Sequence, residues 1–179
     1  SMLKAKYANF DNKLSSLNNE MKQSNALVRY QDGYSPNTLW AVRSQGIDPS
    51  SGREVFLTKS GEQTFNYNAD DLVPVGNAQP LAEGILRGTL SYKGFTTNIL
   101  VRYILRKDNF NDALYNKVEN MSEEEIVRNN QDKRALYDRW QNPGDIAQFR
   151  GISITDVTPM SSRFIQRENS FSGESISFG

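Results

Sequence analysis

The chain has 179 residues, 37% hydrophobic and 23% charged, with 21 lysines and arginines balanced by 21 aspartates and glutamates. That balance, with no long basic run, leaves nothing to track a phosphate backbone, so nucleic acid is not an expected partner. Histidine and cysteine are both absent, which removes the Ser-His-Asp triad, the Cys-His nucleophile, zinc fingers and CxxC redox chemistry together, so any catalysis would have to rest on carboxylates, lysine or tyrosine; no catalytic, cofactor-binding or metal-binding residue is singled out, and the chain is read as not an enzyme.

Leu3, Tyr7, Phe10, Leu14, Leu17 and Met21 recur at spacings of four and three. The spacing puts them on one face and predicts a helix over 2–22, with Asn18, Asn19, Ser24 and Asn25 marking its decay into a loop. Thr38 to Ser44 reads as a strand, the following segment supplies Pro49 and Gly52 where turns demand them, and Glu54 to Thr58 reads as the return strand. A second turn at Lys59-Ser60-Gly61 leads to Gln63 to Tyr67, so 38–67 is predicted to be a small β-meander. Asp70 and Asp71 are sequence neighbours, which suits a solvated loop better than an acid/base dyad.

The clearest pattern lies between Gly84 and Arg106. Phe95, Thr97, Ile99, Val101, Tyr103 and Leu105 share one face, and Thr96, Asn98, Leu100, Arg102, Ile104 and Arg106 the other. Leu86, Gly88, Leu90 and Tyr92 supply the matching face of the preceding strand across a tight Tyr92-Lys93-Gly94 connection. Periodicity alone suits a membrane barrel wall and one hairpin of a soluble sandwich equally. No run of about 18 apolar residues is present, so no transmembrane helix is encoded. A barrel strand needs only ~9–11 alternating residues and is compatible with the mean hydropathy of −0.65.

Beyond Lys107 the chain turns polar and helical. Ser122-Glu123-Glu124-Glu125 forms a capping box ahead of Ile126 and Val127; a metal site there is disfavoured, because consecutive helical carboxylates diverge by about 100°. A helix is predicted over Asp132 to Trp140, with Leu136 and Trp140 turned inward and Asn142-Pro143-Gly144 as its stop. Arg163 to Glu168 and Phe171 to Phe178 return to strand-like alternation. The opening residues lack a basic region followed by an apolar one, and the final residues stop inside an alternating pattern, so both ends are expected to be cuts.

Several blocks, in order, resemble the SusC/RagA type of TonB-linked outer-membrane proteins. They are Trp40-Ala41-Val42-Arg43-Ser44, Gly46-Ile47-Asp48-Pro49, Gly52 with Glu54-Val55-Phe56-Leu57, and Tyr92-Lys93-Gly94-Phe95. Leu114-Tyr115-Asn116-Lys117-Val118-Glu119-Asn120 is the most specific. Asp132-Lys133-Arg134, Leu136-Tyr137-Asp138-Arg139-Trp140, Pro143-Gly144-Asp145, Arg163-Phe164-Ile165-Gln166 and Ser175-Ile176-Ser177-Phe178-Gly179 follow. Arg106-Lys107-Asp108 departs from the pattern, standing where a Gly-rich stretch is more usual.

The resemblance implies a mainly β fold, part of a large antiparallel transmembrane β-barrel of which about three wall strands are present, with long extracellular loops carrying short helices. Residues 1–83 would be an extracellular loop region with an N-terminal helix and the small β-meander, 84–106 a barrel hairpin, 107–169 an extracellular loop with helices, and 170–179 a truncated barrel strand. The implied function is that of a fragment of a TonB-dependent outer-membrane transporter importing glycans or peptides. Its implied partners are a SusD-like lid lipoprotein, the TonB complex through a missing N-terminal part, an oligosaccharide or peptide substrate, and outer-membrane lipid. Trp40, Tyr67, Tyr137 and Trp140 are the expected substrate or lid contacts.

The alternative is a soluble β-rich glycan-binding module in which Trp40, Tyr67 or Trp140 stack on sugar rings. The discriminator is whether Phe95, Ile99, Val101 and Tyr103 point into a second sheet or outward onto lipid. A carboxylate hydrolase needs two acids about 5 to 10 Å apart, and no pair in the sequence specifies that geometry.

Overall fold

Three antiparallel sheets organise the computed structural model, which describes residues 5–9, 14–23, 26–153 and 155–178. In chain order the elements are α1 (Ser15–Gln23), β1 (Thr38–Ala41), β2 (Arg43–Ile47), β3 (Glu54–Leu57), β4 (Gln63–Thr64), β5 (Val73–Asn77), β6 (Ala82–Tyr92) and β7 (Phe95–Phe110). They continue with α2 (Asp112–Leu114), a π-helical turn (Tyr115–Glu119), α3 (Glu123–Arg128), α4 (Arg134–Tyr137) and β8 (Ile165–Phe178); short 3-10 turns sit at Ala69–Asp71 and Ser162–Phe164. The mainly β, antiparallel class expected from the sequence is the class observed.

The largest sheet has the order β6-β7-β8. Tyr92 pairs with Phe95, so the hairpin turn is the two residues Lys93 and Gly94, one shorter than expected. Their φ angles of 48° and 88° suit the primed turn whose twist matches that of the flanking strands. Two bulges interrupt the β7–β8 ladder. Leu100 faces Ser175 while Val101 faces Gly173, leaving Glu174 as the extra residue; Ile104 faces Ser170 while Lys107 faces Glu168, leaving Leu105 and Arg106 opposite Asn169. Arg106 takes φ 55°, the left-handed region that favours glycine, and its N–H donates to Asn169 Oδ1 at 2.9 Å. The departure from a Gly-rich stretch thus falls on a bulge.

A second layer forms from the segments flanking the hairpin. β2, β3 and β4 make the expected meander, but Thr38–Ala41 leaves it to pair with β5, and Val42 bridges in parallel to Ser161. The core of this layer joins Leu114, Tyr115, Val118, Met121, Ala135, Phe149 and Phe164, with Phe110 and Met160 packed against it. Tyr115 meets Phe164 edge to face at 5.0 Å. The strands run past the expected 84–106 and 170–179, because the far end of β7 and the start of β8 carry the ladder into this core.

Two predicted helices are shorter than the sequence suggested. Of the helix over 2–22, α1 covers only Ser15–Gln23, while Leu3, Phe10, Ser24 and Asn25 lie outside the described residues. Residues 5–9 are not helical: the Tyr7 N–H donates to the Tyr34 carbonyl and the Gly33 N–H to the Tyr7 carbonyl, both at 2.9 Å, and Asn9 has φ 63°. Asn18 and Asn19 sit inside α1, and the Asn18 amide both donates to and accepts from the Tyr30 backbone. Of the helix over 132–140 only Arg134–Tyr137 forms. The Asp138 carbonyl is claimed by the N–H groups of Gln148 and Phe149, and the Trp140 N–H donates to Phe149. Leu136 is 56% exposed, contrary to the inward placement, and Ala135 is the buried residue of that turn.

Candidate functional site

On one face of the large sheet, the register brings Leu86 beside Val101, Gly88 beside Ile99, Leu90 beside Thr97 and Gly84 beside Tyr103. The bulge at Glu174 adds Phe171, Ile176 and Phe178 to that face although their sequence parity differs, since Phe171 lies opposite Tyr103, Ile176 opposite Ile99 and Phe178 opposite Thr97. Aromatics stand at both ends of this band: Tyr92, Phe95 and Phe178 by the turn, Tyr103 and Phe171 at the other end, the last two with ring centroids 6.5 Å apart. Most of the band is bare, with Phe95 77%, Leu90 71% and Ile176 62% exposed. The opposite face carries hydrogen bonds between side chains, Thr89 to Asn98 at 2.7 Å, Ser91 with Thr96 at 3.1 Å, and an ion pair of Arg102 with Glu174.

The second layer is built around buried charge. Arg163 donates to Glu119 Oε1 at 2.8 Å, to Glu54 Oε2 at 3.1 Å and to the Gln148 carbonyl at 2.7 Å, and lies 4.5 Å from the Phe164 ring centroid. Burial works to lower the Arg163 pKa, and the bonds to Glu119 and Glu54 outweigh it and raise it above the ordinary value. Arg139 donates to the carbonyls of Ala135 and Arg150, and burial lowers its pKa. Thr158 donates to Glu119 and Ser161 to Glu54, so both carboxylates are also gripped by hydroxyls. The network ties β3, the π-helical turn and the approach to β8 into one unit, because each charge is affordable only with its partners in place.

The four expected contact residues do not form one site. Trp40 is buried, with Tyr34 edge-on at 5.0 Å. Tyr67 is half-buried against Phe56 and shares a small cavity wall with Trp40. Tyr137 is 78% exposed beside Ile146, which is 96% exposed. Trp140 lies flat on the loop 48–52: its Nε1 donates to the Pro49 carbonyl at 2.8 Å, and a Cβ on Gly52, at φ 68°, would come within 2.4 Å of the indole. Trp140 therefore packs one ring face on Gly52 as a latch, and Trp40 packs as core. Sequence reasoning missed Arg29 and Arg163, whose importance comes from burial and carries no local signal.

No family model and no curated protein matches the chain. Solved structures do. The chain is similar to the RagAB peptide importer in the open-open state, with a TM-score of 0.62 and 20% identity, covering 79% of this chain and 15% of that one. For the same importer in the closed-closed state the TM-score is 0.58 at 19% identity, covering 83% and 17%. For a structure of the RagAB peptide transporter it is 0.63 at 17% identity, covering 79% and 15%. The chain spans 15% to 17% of the length of these structures, and the likeness is one of fold: antiparallel β strands in an open sheet with a loop layer beside them.

Proposed function

We propose that this chain is a sector of a TonB-dependent outer-membrane transporter of the SusC/RagA kind, with β6, β7 and β8 as barrel wall and the second layer as the rim on its extracellular side. The observation that carries the reading is the bare apolar band bounded by aromatics at both ends and backed by a face that carries Thr89, Asn98, Ser91, Thr96, Arg102 and Glu174. Barrel walls need that division: apolar to lipid, polar to lumen, aromatic girdles at the two interfaces. From Phe95 to Tyr103 the band runs about 26 Å along the strand, or ~20 Å across the bilayer after a ~40° tilt, close to the height of such bands. The two-residue turn then faces the periplasm. On this reading the protein is not an enzyme; it belongs in the outer membrane, and it imports oligosaccharides or peptides with a SusD-like lid lipoprotein and the TonB complex.

The soluble-module alternative requires a second sheet over Phe95 and Ile99, which are 77% and 43% exposed; of its three platforms Trp40 is buried, Tyr67 packs edge-on against Phe56 and Trp140 lies with one ring face on Gly52. The test is a pair of neighbouring substitutions in the membrane-assembled protein. Ile99→Arg should cost ~2–4 kcal/mol of folding stability near the midplane, and Asn98→Arg little. Equal effects at the two positions would overturn the assigned faces. Uptake of labelled peptide against labelled oligosaccharide, with and without the lid protein, decides the cargo.

A further inference from the structure

A cleft of about 730 Å³ opens between α1, the segment 29–32, Lys59 and the turn at 69–72. Two of its lining side chains are donors that the fold leaves partly unanswered. Arg29 is 8% exposed; its Nη1 donates to the carbonyls of Ala26 at 2.7 Å and Val28 at 2.6 Å, but no carboxylate pairs with it among the described residues. Burial pulls its pKa below the ordinary value, with the Tyr67 phenol acting weakly the other way. Trp40 is 6% exposed and its indole N–H is buried without an acceptor. Lys59 stands on the rim of the same cleft.

A buried guanidinium without a counter-charge is costly, and Arg163 shows how the same layer solves that problem with Glu54 and Glu119. Arg29 instead commits Nη1 to two carbonyls and meets no carboxylate among the described residues, and the remaining Nε–Nη2 edge of a planar guanidinium matches a carboxylate with two parallel hydrogen bonds. We propose that this cleft binds a carboxylate-bearing solute, with the carboxylate on the Arg29 fork and the Trp40 indole N–H and the body of the solute extending toward Lys59. A uronic-acid sugar and the free C-terminus of a peptide both present this group. The proposal is independent of whether the sheet lies in a membrane.

The chain has two tryptophans, which makes the test internally controlled. In the full chain in detergent micelles, labelled with ¹⁵N-tryptophan and assigned through Trp140→Phe, the two indole N–H resonances are followed while galacturonate, galactose, N-acetyl-dialanine, its C-terminal amide and inorganic phosphate are added. The Trp40 resonance should shift saturably with a carboxylate probe and at least about tenfold more weakly with its neutral counterpart, while the Trp140 resonance, already bonded to Pro49, stays fixed. Which carboxylate binds identifies the source. Arg29→Gln should abolish the shift; should that variant disturb the Trp140 resonance and so the fold, Arg29→Lys should keep the fold and weaken binding. Equal response to neutral and charged probes, preference for phosphate, no saturable shift, or a shift that survives Arg29→Gln would each overturn the proposal.

Discussion

In the β6-β7-β8 sheet, Leu90, Phe95, Ile176 and Phe178 stand 62% to 80% exposed, whereas in the layer beside it Glu54, Glu119 and Arg139 are no more than 5% exposed. The two regions invert each other: apolar side chains outside, charged side chains inside. Each inversion has its own cause. On the proposed barrel reading, a sheet face that meets hydrocarbon gains nothing by hiding leucine and phenylalanine, while a layer of short strands and single helical turns offers little apolar area to bury and locks its segments together through paired charge instead. The lesson is that the usual rule of burial has to be applied to each region with its own surroundings in mind.

The contrast can be broken hardest at Arg163. Arg163→Ala leaves Glu54 and Glu119 buried without their cation and should destabilise the second layer by ~3–5 kcal/mol. Amide hydrogen exchange should show lost protection at 115–119 and 158–164 while the β6–β7 hairpin keeps its own. Uniform loss in both regions would mean that they are one cooperative unit rather than two.

Next in size is the latch of Trp140 on Gly52. Gly52→Ala adds a Cβ at φ 68° and within 2.4 Å of the indole, and should cost ~2 kcal/mol or more in thermal or denaturant unfolding. Trp140→Ala should cost less than the ~3–5 kcal/mol of a fully buried aromatic, since the ring is half-buried. In the double variant the two losses should fall well short of adding, because the clash needs both partners. Leu136→Ser, at a position first expected to be buried, should change stability by no more than ~0.5 kcal/mol.

The smallest expected effect concerns a charge the fold does not bury. Asp132 accepts hydrogen bonds from the Arg134 side chain and backbone, which hold its pKa at about 2 against an ordinary 3.8. A depressed carboxylate contributes its stabilisation above the ordinary value and loses it as pH falls through about 2. An NMR titration should place the Asp132 midpoint there, and Arg134→Ala should move it back upward.

Much of the sheet was legible because its signals are local. Strict alternation from Phe95 to Tyr103 and a glycine in the turn are readable within a dozen or so residues, and the meander was announced by its proline and glycine turns. The N-terminal helix was misread because residues 5–9 answer their backbone groups at 33–34, a long-range pairing that overrides spacing. The same holds for the second layer, where the partners Arg163 and Glu54 are separated by 109 positions and Trp140 and Pro49 by 91. Aromatic residue type drew attention to Trp40, Tyr67, Tyr137 and Trp140, but whether a ring is core, latch or surface is decided by what lies across the fold. Arg29 escaped notice for the mirror-image reason: its interest lies in a partner it lacks.

The bulge in β8 bears on how this chain tolerates changes in length. Glu174 is one residue more than the ladder opposite Leu100 and Val101 requires, and the strand absorbs it by resetting its phase, so Phe171 and Ile176 share a face across an odd interval. Deleting Glu174 would restore plain alternation with Ile176 and Phe178 still beside Phe171, at the expense of the Arg102 ion pair. Deleting a neighbour such as Ser177 would instead turn Phe178 to the polar side. Along β8, indels are thus graded by position: one deletion between Phe171 and Ile176 is absorbed by the bulge without changing the facing of the strand, and one beyond Ile176 is not.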